Sequence, residues 1–64
     1  MKPGTTVTAI HEGQARYGMV LKRSDDTVLV AFAETETQPH GFWTYDLNGH
    51  LVNYSEGPKL EEWI

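Results

Sequence analysis

Three histidines, three tyrosines, two tryptophans and nine carboxylates are the groups in this 64-residue chain that could do chemistry, and there is no cysteine. His11, His40 and His50 lie far apart, and no stretch carries the three or four convergent ligands a metal site needs. The carboxylates offer no catalytic pair. Glu61 and Glu62 are adjacent, and Asp25-Asp26 fits a turn, where aspartate bonds its own backbone. Ser24 and Ser55 stand beside turn residues, and Gly41, Gly49 and Gly57 are isolated rather than gathered into a phosphate-cradling loop. Catalysis needs a pocket that excludes water, which so short a chain rarely encloses. The expectation is a protein that is not an enzyme and uses no cofactor and no metal.

What remains is recognition. Phe42 to Tyr54 reads as a β-hairpin closed by Asn48-Gly49, since a type I′ turn needs φ > 0 at both central residues. A two-residue loop fixes the register: Leu47 faces His50, Tyr45 faces Val52 and Trp43 faces Tyr54. These six residues then share one face, while Phe42, Thr44, Asp46, Leu51, Asn53 and Ser55 share the other, mostly polar one. Trp and Tyr are common interface anchors. The predicted partner-binding residues are Trp43, Tyr45 and Tyr54, with Trp63 as a packing or interface anchor.

Charge supplies the second reading. Residues 1–32 hold Lys2, Arg16, Lys22 and Arg23 against Glu12, Asp25 and Asp26. Residues 33–64 hold only Lys59 against Glu34, Glu36, Asp46, Glu56, Glu61 and Glu62, and the whole chain carries −4. Such a balance repels phosphate backbones and disfavours nucleic acid. Glu56, Glu61 and Glu62 instead suit a basic, nucleic-acid-binding site on a partner protein. A nucleic-acid binder would need Arg16, Lys22 and Arg23 to form one positive patch.

The elements that must position these groups are short strands. Thr5–Ile10, Tyr17–Arg23 and Thr27–Ala33 read as the first three. In the third, Val28, Val30 and Phe32 share one face and Leu29, Ala31 and Ala33 the other, as in a central strand or a closed barrel. His11–Arg16, the Ser24-Asp25-Asp26 cluster and Glu34–Gly41 read as loops. Glu56-Gly57-Pro58 stops the hairpin's second strand, because proline cannot continue a ladder. Lys59–Ile64 is predicted to form one helical or 3₁₀ turn, with Leu60, Trp63 and Ile64 docking on the barrel.

Residues 1–64 therefore make one all-β domain, a five-stranded small barrel or strongly bent antiparallel sheet. A domain this small gains about 3–5 kcal/mol from one core, so self-association into a homo-oligomer is a natural reinforcement. The N-terminus carries no apolar signal segment, and no window reaches the roughly 18 apolar residues of a membrane span. A cytoplasmic location is the resulting expectation.

Pro3-Gly4-x-x-Val7, Gly18-x-Val20 and Val28-Leu29-Val30-Ala31-Phe32 resemble the opening strands of SH3-like barrels of the KOW and Tudor type. In those folds the glycine before the valine lets a strand bend sharply. Tyr45-Asp46-Leu47-Asn48-Gly49-His50, with the acidic Leu60-Glu61-Glu62-Trp63 ending, is similar to small proteins of phages and prophages. The resemblance implies an SH3-like barrel that binds a protein partner in an accessory or host-modulating role.

Overall fold

A computed structural model describes residues 2–54 and 56–61. Five strands form one antiparallel sheet: β1 (Thr6–His11), β2 (Gln14–Arg23), β3 (Thr27–Phe32), β4 (Gly41–Asp46) and β5 (Lys59–Leu60). Their order is β4-β3-β2-β1-β5, and the sheet curls into a half-barrel with no helix among the described residues.

Alternation decides which face is buried. Val7 and Ala9 on β1, Val20 on β2, Val28, Val30 and Phe32 on β3, and Tyr45 on β4 fill the concave side. Trp43, Leu51 and Leu60 pack against that cluster. β2 slips its pairing with β3 between Val20 and Lys22, a bulge that bends the strand and increases its twist. Gly18 stands opposite Phe32, and a Cβ there would lie 2.8 Å from the Phe32 ring. The glycine predicted to permit bending therefore also makes room for an aromatic ring.

Three elements differ from the sequence expectation. The loop between β1 and β2 shrinks to Glu12 and Gly13, between the paired His11 and Gln14. Both residues have φ > 0 (53° and 77°), so the tight primed turn sits here, with a glutamate in a conformation few side chains adopt.

The Asn48-Gly49 turn takes another form. Asp46 Oδ1 accepts from Asn48 N at 2.8 Å and His50 N at 3.0 Å, and Gly49 N donates to Asp46 O. Only Gly49 is left-handed (φ 85°), so the loop has three residues, and Tyr45 faces Leu51 instead of Val52. Asn53 at φ 68° then turns the chain away, so the hairpin's return makes one bridge and no strand.

The fifth strand is Lys59–Leu60, against Ile10 and Ala9, where a helical or 3₁₀ turn was expected. β1 offers an unfilled edge: Leu60 reaches the core along it, and Glu61 N donates to Thr8 O. The rest of that expected turn, with Trp63 and Ile64, lies outside the described residues.

Candidate functional site

Trp43 lies on the inner side of β4, between the sheet and the returning chain. Its indole meets the Tyr54 ring edge-on at 5.3 Å and the His11 ring at 5.8 Å. Gly57 covers another part of it, since a Cβ there would stand 2.8 Å from Cζ3 of Trp43 and 2.9 Å from Leu51. The left-handed turn at Asn53 is what delivers Tyr54 to this position. Tyr54 keeps 63% of its surface exposed, although its ring rests on Trp43.

Beside Tyr54 opens a groove of ≈ 440 Å³ between the hairpin return and β5, with Leu51 and Leu60 as apolar walls, the fully buried Pro58 at its base, and His50 and Lys59 at its polar positions. Tyr45 contributes to its lining but has no free surface of its own: the residue is fully buried, and its hydroxyl donates to Pro58 O at 2.6 Å. Burial pushes the phenol well above its usual range, against a smaller opposing effect from the Arg16 charge. Tyr45 therefore belongs to the core and is not a contact residue, which corrects the sequence expectation. Trp43 is half-buried and Tyr54 exposed, so the three aromatic residues divide into floor, wall and rim.

Asp46 and His50 were passed over as a pair in the sequence, although their i, i+4 spacing was visible. His50 Nδ1 lies 3.8 Å from Asp46 Oδ2. The His50 backbone N–H holds the Asp46 carboxyl below the usual carboxylate range, with help from Asn48 and Gly49. The pair shapes the turn at one end of the groove. No group of three or more His, Asp or Glu among the described residues could hold a metal ion.

Arg16, which a nucleic-acid binder would need on the surface, is only 2% exposed. Its Nη2 donates to Ala33 O at 3.1 Å and Pro39 O at 2.9 Å, and its Nη1 lies 3.4 Å from His11 Nδ1. The guanidinium stands 5.4 Å over the Phe32 ring. This side chain anchors the loop between β3 and β4 and adds nothing to a positive surface patch with Lys22 and Arg23. Its basic type and loop-like neighbours gave no signal of burial. Of the acidic residues, Glu56 and Glu61 are exposed, while Glu62 lies with Trp63 outside the described residues.

A second exposed feature faces the other way. Tyr17, Met19 and Phe42 project from the outer side of the sheet, where Ala31 is half-buried between Met19 and Phe42, and Leu29 between Lys22 and Thr44. In the sequence Phe42 falls on the mostly polar face of the hairpin, which points to no site. No family model, no curated protein and no solved structure matches this chain.

Proposed function

We propose that this chain is a non-enzymatic protein-interaction module of SH3-like build, which takes an apolar segment of a partner protein at the Tyr54 rim and into the adjoining groove. The observation that carries this reading is an aromatic side chain left 63% exposed while held in place by Trp43. A positioned, exposed aromatic beside an apolar groove offers contact area at little entropic loss on binding. Leu51 and Leu60 supply apolar walls, and Tyr54 and His50 supply polar edges. A phage or prophage accessory role suits a module of this kind.

The test is affinity capture from a host lysate with the wild type and two variants side by side. Tyr54→Ala removes an exposed ring, stays folded and loses the partner. A folded Tyr54→Ala protein that captures the same partner equally well sinks the reading. The acidic alternative rests on Glu56 and Glu61, both exposed, in a chain of net charge −4. Under that alternative the Glu56→Lys/Glu61→Lys variant loses the partner, and capture by the wild type weakens steeply with salt.

A further inference from the structure

Three consecutive main-chain amides converge on one residue at the tip of the hairpin. Asn48 N donates to Asp46 Oδ1 at 2.8 Å, and His50 N donates to the same oxygen at 3.0 Å. Gly49 N, between them, donates to the Asp46 main-chain carbonyl at 3.1 Å. The loop so held contains an asparagine followed by a glycine, and Asn48 is exposed to solvent. That pair has a chemistry of its own. A main-chain nitrogen that follows asparagine can attack the side-chain amide and close a five-membered ring. Glycine presents this nitrogen with no Cβ to block the approach and with a backbone free to bend.

We infer that Asn48-Gly49 is a site of spontaneous main-chain modification, and that Asp46 restrains the reaction by holding the attacking nitrogen. In the reaction the Gly49 nitrogen gives its proton to hydroxide and bonds to Cγ of Asn48. The Cγ–Nδ2 bond breaks, and Nδ2 takes a proton from water and leaves as ammonia, which returns the hydroxide. Water then opens the cyclic imide at one of its two carbonyls. Opening at one leaves aspartate in an ordinary chain. Opening at the other routes the main chain through the side chain, as isoaspartate. One water is consumed and one ammonia released, and nothing is oxidised or reduced.

The restraint has a geometric and an electrostatic part. Gly49 N–H points at Asp46 O, so the nitrogen must give up that bond before it turns toward Cγ of Asn48. The bonds from Asn48 N and His50 N to a charged oxygen fix the chain on either side, and charge-assisted bonds are the stronger kind. The Asp46 carboxylate also opposes the negative charge that the attacking nitrogen and its adduct must carry. The product matters to the fold. Isoaspartate adds one carbon to the main chain of a loop whose length sets the pairing of Tyr45 with Leu51. Gly49 and His50 also line the groove, so the modified loop reshapes that end of it. The reaction itself is independent of what the groove binds.

The test incubates the full chain at mildly alkaline pH and follows it by mass spectrometry, with peptide mapping that separates isoaspartate from aspartate. Wild type unfolded in guanidinium sets the unrestrained rate, and it converts at Asn48. Folded wild type converts about tenfold more slowly or less. Folded Asp46→Ala regains about tenfold or more, as loss of a charge-assisted hydrogen bond allows. Asp46→Asn keeps an acceptor oxygen without the charge, so it gains less, and it serves if Asp46→Ala fails to fold. An unfolded chain that does not convert at Asn48 overturns the inference. So does a folded wild type that converts as fast as the unfolded chain, or conversion confined to Asn53. Folded Asp46→Ala at the wild-type rate, or Asp46→Asn in its place, overturns the role of Asp46.

Discussion

The hydroxyl of Tyr45 donates to the carbonyl of Pro58 at 2.6 Å, and this bond joins the two edges of the sheet. Tyr45 belongs to β4 at one edge, and Pro58 leads directly into β5 at the other. Among the described residues no ladder closes the half-barrel there, and a side chain spans the gap. The Tyr45 ring meets Phe32 edge-on at 6.5 Å, which anchors the same residue in the core.

Tyr45→Phe tests that closure. It keeps the ring and removes one buried hydrogen bond, so the expected loss is about 1 kcal/mol at neutral pH, and more if Pro58 O finds no water. The alkaline limb is a second readout. Burial raises the folded phenol above its ordinary value of 10.0, so the unfolded chain loses this proton first as pH rises. The contribution of Tyr45 is complete below pH 10 and declines above it. Urea unfolding from pH 8 to 11.5 should show stability falling above pH 10 in the wild type, with a shallower fall in Tyr45→Phe.

Asp46 governs the opposite end of the pH range. Its carboxylate accepts from two backbone N–H groups of the turn, which holds its folded titration below the ordinary 3.8. That contribution is present above the ordinary value and disappears as pH falls through the folded one. Asp46→Ala should flatten this acid limb, and the Asn48 and His50 amide resonances should move to those of solvent-exposed groups. Asp46→Asn retains an acceptor oxygen and should preserve the turn while losing the pH dependence. An Asp46→Ala protein with unchanged amide shifts would contradict this account.

These two residues also mark where the sequence was legible and where it was not. Alternation in Val28, Val30 and Phe32 predicted the buried face of β3, because burial on a strand has a period of two. The all-β class followed from the same signal. The hairpin register did not: Asn48-Gly49 suits two turn types, and the Asp46 carboxylate selects the three-residue one by bonding two N–H groups at once. That choice slips the pairing by one residue. Trp43 and Tyr54 still meet, through the left-handed turn at Asn53 and not through a ladder. Glu12 at φ 53° carries no composition signal, because the pairing around it imposes the conformation.

Gly57→Ala examines how the groove is held. The added methyl would stand 2.8 Å from the rigid Trp43 ring and 2.9 Å from Leu51, too close for either to stay in place. Overpacking of this kind costs about 1–3 kcal/mol. Trp43 should be displaced from Tyr54, so indole fluorescence should shift along with the unfolding midpoint. Wild-type stability in Gly57→Ala would mean that the returning chain is not seated on Trp43.

Arg16 is the residue on which the loop from β3 to β4 depends. Its guanidinium binds the carbonyls of Ala33 and Pro39, at the two ends of that loop, while Nε is buried without a partner. Hydrogen bonds to a charged donor contribute about 1.5–3 kcal/mol each, so Arg16→Met should cost roughly 3 kcal/mol after its apolar volume is replaced. Loss on that scale rivals the whole stability expected of so small a core. Arg16→Lys should rescue little, because one ammonium lacks the planar fork that reaches both carbonyls. The local readout is amide exchange: residues 34–40 should lose protection in Arg16→Met before β1 to β3 do. Uniform loss of protection along the chain would show that Arg16 supports the core as a whole and not the loop.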